Sequence, residues 1–468
     1  MSHPITRPDA QVHFGVFFQG VNHHTVWSDA ESGSQIDPDS FLRVAQVAER
    51  GLFDAFFLGE GLRLRESHGR VHDLDVVGRP DALTQLAALA SVTTHLGLVA
   101  TQNTTYNDPA DLARRLAGLD VLSGGRAAWN VVTTDNAWTG ENFRRGGYLD
   151  HADRYVRAEE FVRAAQAIWD SWDDDAIAPD TDAEHWAAPD AIETVVRDGA
   201  SVRIQVRPTV PRSPQVHPVL FQAGDSPAGR DFAARNADVI FSAHGSDLDD
   251  ALAFAADVRT RVRAAGRPAD DLLILPGTFF VLGDTDAEAE EKYAWLKRAQ
   301  VTGATALSLL GYIWGQDLSH LDPDGPLPDL EATAVEFDGT RGAGLKEGGR
   351  RKLAEQWRAR AEAENLSIRE LVIAQEARRG FVGTPGKVAD RLVEFVRTGA
   401  VDGFNISPWI VPDGLDDIVE TLVPALQERG AYRTAYTSTT LRGHLGLRAP
   451  LSHREAAGDI VDAEQIAG

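Results

Sequence analysis

Residues 96–133 read LGLVATQNTTYNDPADLARRLAGLDVLSGGRAAWNVVT. The stretch opens on a short apolar run at 96–101 and closes on another at 127–133. Between them, 109–122 places Leu112, Leu116 and Leu119 on one helical face, with Pro109 where a first helical turn tolerates it. Strand, helix and strand in so short a span is the signature of two parallel strands joined by a crossover helix.

The same rhythm runs outward in both directions. Toward the N-terminus, 12–18 is followed by a helical pattern at 39–50, where Gly51 supplies the stop, and 55–58 by one at 81–92. Toward the C-terminus, 127–133 leads to a long helix at 150–172. After it come 219–223 with 226–236, 239–242 with 247–265, 272–282 with 286–300, and 403–407 with 415–429. Eight such alternations predict an α/β fold, a (β/α)8 TIM barrel, with the whole chain 1–468 as one domain. A doubly wound sheet of the Rossmann type is the runner-up, although no G-x-G-x-x-G stands between the first strand and first helix. Three stretches break the rhythm: 61–80, 173–218 and 301–364. They are read as insertions over the C-terminal face, where a lid would lie.

Composition narrows the chemistry. The net charge of −24, from 46 basic and 70 acidic side chains, repels a phosphate backbone, so nucleic acid and anionic membrane are poor partners. The chain has no cysteine, which removes disulfides, thiolate metal sites and thiol nucleophiles. Its longest apolar stretch, 272–282, is broken by Pro276 and falls short of a membrane span. Residues 1–12 are polar and carry no signal-peptide core, so the protein is read as soluble and cytoplasmic. Histidines are scattered without a ligand pattern, and no metal site or G-x-S-x-G elbow is expected.

The block at 123–155 holds the candidate site. Asn130 and Thr133 fall at the end of the fourth strand, and His151 and Tyr155 form an i, i+4 pair on the helix that follows. Such a set could grip a polar ligand; equally, Asn130 could satisfy strand-end backbone while His151 and Tyr155 decorate a helix start. In QAGDS, at 222–226, Ser226 stands where the fifth strand turns into a helix, a place for phosphate or for an ordinary N-cap.

Taken together, GLFDAFFL at 51–58, TTYNDP at 104–109, the 123–155 block, PRSPQ at 211–215, QAGDS, GTPGKVAD at 383–390 and DGFN at 402–405 resemble the bacterial luciferase-like superfamily. More narrowly, they resemble the group of nitrilotriacetate monooxygenase component A, long-chain alkane monooxygenase and dibenzothiophene sulfone monooxygenase. The resemblance implies a two-component monooxygenase that takes reduced FMN from a separate NAD(P)H:flavin reductase and inserts one atom of O2 into a small organic substrate. Hydroxylation and oxidative C–N, C–S or C–halogen cleavage all fit, and a homodimer or homotetramer is implied. Thr101 and Asn130 would then flank the flavin ring, with His151, Tyr155 and Ser226 at its phosphate end.

Two departures qualify the substrate. Glu60 stands where the family carries Asp, one methylene longer, and Asp135 stands where some relatives have histidine. His23 and His24, in VNHHTVW at 21–27, match a substrate-side histidine region and could transfer a proton near neutral pH, or be solvent-facing loop residues. Two rival readings remain: a deazaflavin-dependent oxidoreductase of the same superfamily, and a non-catalytic flavin-binding protein.

Overall fold

The computed structural model describes residues 5–18, 25–64, 66–67, 70–71, 77–134, 137–143, 151–182, 184–188, 190–332, 347–376 and 380–450. Its main sheet is parallel throughout. The strands are β1 (His13–Phe18), β2 (Ala55–Leu58), β3 (Gly97–Asn103), β4 (Ala127–Val132), β5 (Val219–Ala223), β6 (Val239–Phe241), β7 (Leu273–Ile274, resumed at Gly277–Thr278) and, after β8 (Phe280–Leu282) and β9 (Phe381–Gly383), β10 (Gly403–Ile406). Their order is β7-β6-β5-β4-β3-β2-β1-β10-β7, so the sheet curls until its two outer members are pieces of one broken strand.

Each strand is buried on both sides, as parallel strands must be when helices cover one face. Alternate residues divide between two cores. Phe17, Phe57, Val99, Ala128, Phe221 and Leu275 gather on the concave inner face. Phe14, Phe56, Leu98, Trp129 and Ile240 point outward against helices α1 (Pro38–Arg50), α2 (Ala82–Ala90), α3 (Pro109–Leu122), α4 (His151–Trp169), α5 (Pro227–Asn236) and α6 (Leu248–Ala264). Leu441 and Leu445 fill the inner face from the amino-terminal end of the sheet. A Cβ on Gly97 would sit 2.5 Å from Leu441 Cδ1, so that position admits only glycine.

Carboxylates set the strands in register at that end. Asp54, just before β2, accepts the Phe14 amide at 2.9 Å. Asp238, before β6, accepts Leu220 N at 2.8 Å, and Asp402, before β10, accepts Ile274 N at 2.8 Å. In every case the donor is the second residue of the neighbouring strand. A basic side chain answers each one: Arg433 for Asp54, Arg442 for Asp238 and Arg7 for Asp402. Between β3 and β4 the device changes, and Asp120, at the end of α3, accepts Ala127 N at 2.9 Å. Burial pushes the Asp120 carboxyl up to about 6, against the bonds it accepts.

Several expected boundaries need correction. The stretch 272–282 is three short strands, because Pro276 has no N–H to give a ladder and breaks the run. The helix expected at 415–429 contains a wide turn at Ile418–Leu422 before Val423–Glu428, since Pro424 cannot donate to the carbonyl four residues back. The segment 301–364, expected as an irregular loop, carries helices Gly303–Trp314 and Glu347–Glu364. With Ile368–Glu376 they enclose a separate apolar core of Leu310, Trp314, Trp357 and Leu371. Residues 173–218 form two hairpins, Ile177–Asp180 with His185–Ala187 and Val195–Asp198 with Arg203–Val206. Strand β9 and helix Pro385–Arg397 went unread in the sequence.

Burial alone would raise the Asp54 carboxyl, but the charges of Arg433 and His13 outweigh it and hold it below the ordinary range. A depressed carboxylate stabilises the fold above its unfolded pKa, and that contribution is lost as pH falls through the folded value. Replacing Arg433 by Met leaves the charge buried with only His13 beside it. Arg433→Met should cost about 3–5 kcal/mol at pH 7 in urea unfolding. The deficit should narrow as pH falls, because the buried carboxyl that has lost Arg433 protonates at a higher pH than in the wild type; a deficit independent of pH would show that only packing had been lost.

Candidate active site

The carboxyl ends of adjacent strands β2, β3 and β4 bring three of the expected residues together. Thr101 and Asn130 are direct partners in the β3–β4 register, both on the inner face and both buried. Asn130 Nδ2 donates to Thr101 Oγ1 at 3.0 Å. Its other amide atom, Oδ1, is buried and has no hydrogen-bond partner among the described residues. A buried polar group left unpaired costs about 1–3 kcal/mol, so this oxygen is poised to accept from a ligand.

Glu60 lies two residues beyond β2, partly buried beside them. Asn103, fully buried, donates from Nδ2 to Glu60 Oε2 at 3.1 Å. Its own Oδ1 is occupied by Tyr106 N at 2.7 Å, which fixes the amide's orientation. Burial pushes the Glu60 carboxyl up to about 7; Asp81 adds to the effect, while Asn103 and Arg115 oppose it. Near neutral pH this acid therefore stands half-protonated, able to donate as well as accept.

The second group lies farther along the chain. Ser226 is the N-cap of α5, its Oγ accepting Gly229 N at 3.1 Å. Close approach explains the glycine two residues earlier: a Cβ on Gly224 would sit 3.0 Å from the Gly229 Cα. Tyr155, on α4, packs its ring 6.0 Å from Phe232 of α5, and Arg235 pairs with Glu159 to tie the same two helices. His151 is the first residue of α4, one turn before Tyr155; only its backbone falls within the described residues. His23, His24 and Asp135 lie outside the described residues.

Beside this helix end, at the carboxyl ends of β5, β6 and β7, opens a cavity of about 470 Å³ lined by Ala223, Gly224, Asp225, Phe241, Ser242 and Gly277. Its lining combines glycine and alanine backbone, serine hydroxyls, the Asp225 carboxylate and the aromatic residues Phe241 and Phe279. Together the two groups offer uncharged donors and acceptors at one point and a helix N-terminus at another, a pattern suited to a ligand with a polar ring and an anionic end.

Two contributors went unweighed in the sequence. Arg154, in HADRY at 151–155, donates from Nη1 to Thr133 O at 2.7 Å and pins the first turn of α4 to the end of β4. Asn103 gave no signal, because its role is to hold a residue 43 positions earlier in the chain.

The model of the luciferase-like monooxygenase family matches residues 12–402. The chain is 38% identical to N-acetyl-S-(2-succino)cysteine monooxygenase of Bacillus subtilis, over 96% of this chain and 99% of that protein. It is also 38% identical to nitrilotriacetate monooxygenase component A of Aminobacter aminovorans, over 94% and 97% respectively. Among solved structures, a riboflavin lyase with modified FMN and riboflavin superposes with a TM-score of 0.75 at 30% identity, covering 95% of this chain and 98% of that one.

The raised Glu60 carboxyl makes a prediction for the free protein. A carboxyl raised by folding contributes fully below its unfolded pKa, and the contribution is lost as pH rises through about 7. Glu60→Gln keeps the neutral form at every pH. Its melting temperature should match that of the wild type at about pH 4, below the unfolded glutamate pKa, and exceed it at about pH 8; the same difference at both would place the Glu60 titration elsewhere.

Proposed function

Because the chain belongs to the luciferase-like monooxygenase family and is a flavin-dependent monooxygenase, we propose that it works with reduced FMN. The FMN comes from a separate NAD(P)H:flavin reductase, and one atom of O2 is inserted into a small organic substrate. The observation that carries this reading is the unpartnered, buried Asn130 Oδ1 beside Thr101. A neutral amide, a hydroxyl and a half-protonated carboxyl suit the heteroatoms of a flavin ring, which carries both hydrogen-bond donors and acceptors. At the other end, the first turn of α5 with Ser226, and Tyr155 and His151 on α4, would hold the phosphate. The relative named as component A supports a two-component system.

When bound, reduced flavin supplies the electrons that activate dioxygen, which no amino-acid side chain can do. The protein binds, orients and excludes water. Phe17, Phe57 and Phe241, with ring centroids 4.9 to 6.2 Å apart, line the inner face with carbon and keep solvent from entering from below. Glu60 holds a proton at its carboxyl and can give it up or take it back near pH 7. His23 and His24 are assigned to the substrate side, where a histidine can pass a proton to the oxygenated product or leaving group. Hydroxylation and oxidative C–N, C–S or C–halogen cleavage all fit this chemistry.

The same reading takes the curled sheet as a closed (β/α)8 barrel. The strand 273–278 bonds β6 through Leu275 N and Gly277 N on one side and receives Asp402 N, Asn405 N and Ser407 N on the other. Following the register once round, from Thr278 through Ile406, Val16, Phe56, Leu98 and Ala127, returns to the same strand about eight residues lower, the stagger of an eight-stranded barrel.

The test pairs the purified chain with a flavin reductase, NADH, FMN and labelled dioxygen. Alone with NADH and FMN the chain should show almost no turnover; with the reductase and a competent member of an organic substrate panel, one labelled oxygen atom should appear in product. Robust NADH oxidation by the pure chain would contradict the two-component reading.

A further inference from the structure

DGFN at 402–405 is only half explained by the fold. Asp402 sets the register of β10 against β7 and the Asn405 backbone joins that ladder, but the Asn405 side chain takes no part in it. Its Cα partners are Gly15 of β1 and Gly277 of β7, two residues without side chains. Both lie on the inner-face parity with Phe17 and Leu275, so Asn405 faces inward as well. A Cβ built on Gly15 would stand 2.9 Å from Asn405 Oδ1, which shows where the amide lies: over the bare inner face of β1, in space that any other residue at 15 would take. Asn405 is 4% exposed, and its Oδ1 has no hydrogen-bond partner among the described residues.

An amide buried among apolar side chains and left unpaired destabilises a fold unless something else satisfies it. Among the described residues no donor is hydrogen-bonded to it. In the closed barrel proposed above, the register places Asn405 with Phe57, Asn130 and Phe241 on alternate strands at one level, as barrel layers are built. The 6.1 Å stacking of Phe57 on Phe241 agrees with that layer. Asn405 and Asn130 then stand on opposite sides of it, each with a buried amide oxygen unused and a phenyl ring to either side.

We propose that Asn405 is a further flavin-binding residue, its side-chain amide offered to a heteroatom of the flavin ring from the strand facing Asn130. The inference rests on the FMN reading and on the closed barrel, and it adds a second polar anchor on the wall opposite the one already described. Gly15 has a matching role: it is glycine because the amide of Asn405 occupies its side-chain space.

The experiment titrates the full-length chain anaerobically with reduced FMN and with reduced riboflavin, and measures melting with and without each. Asn405→Leu keeps the volume and removes an unpaired amide, so without flavin it should melt at or above the wild type. With either flavin it should bind roughly tenfold more weakly and gain less in melting temperature, as expected when a hydrogen bond to a ligand is lost. Ser226→Ala, acting at the phosphate, should weaken FMN and leave riboflavin unchanged. Gly15→Ala, which displaces the amide while keeping Asn405, should weaken both flavins as Asn405→Leu does. Wild-type affinity for both flavins in Asn405→Leu would overturn the proposal while leaving the FMN reading intact. A wild-type chain that binds neither flavin would overturn the reading and the proposal with it.

Discussion

The structure depends on parallel strands that cannot slip. Three aspartates, Asp54, Asp238 and Asp402, each accept the second amide of the neighbouring strand at the amino-terminal end of the sheet. Strand side chains alternate with a period of two, so moving one strand by one residue would send every inner side chain to the helix face. Nothing at the carboxyl end could survive that. Thr101 and Asn130 meet the interior with Asp120 fixing the start of β4, and Asn405 with Asp402 fixing β10 against β7, where Asn405 pairs with Gly277. Stability and site are therefore placed at opposite ends of the same strands, which lets the mouth keep unpaired polar atoms without loosening the register.

Much of this was legible in the sequence. Apolar runs bounded by turn residues located the strands, and Pro109 and Ser226 marked helix starts that the structure keeps, with Asp108 and Ser226 as caps accepting backbone amides. The pairing of Thr101 with Asn130 was within reach, since both sit near the ends of consecutive strands. What could not be read were partners distant in the chain. Glu60 owes its raised pKa to burial and to Asp81, against Asn103 and Arg115, and Asn405 owes its position to two glycines far from it. The stretch 301–364 misled for a different reason. Its glycines and prolines suggest a loop, yet Leu310, Trp314 and Trp357 pack into a core that forms only when two separated helices meet.

Charge sharpens the account of the site. A chain of net charge −24 repels anions at long range. In the proposed reading reduced FMN brings a phosphate, and its recognition would rest on short-range donors: backbone amides at the start of α5, a serine hydroxyl and a tyrosine. At the ring end the reverse holds. Glu60 is kept from full ionisation by burial and by Asp81, so that a carboxyl in the mouth does not repel an electron-rich ring.

The central claim is that the register-set inner face binds the flavin ring while the first turn of α5 binds its phosphate. A crystal structure of the chain with reduced FMN, grown and cooled without oxygen, tests it most directly. The account predicts a ring heteroatom within hydrogen-bond distance of Asn130 Oδ1 and phosphate oxygens at the Ser226 end of α5. A phosphate bound away from that helix, or a ring that leaves the Asn130 amide unpaired, would contradict it.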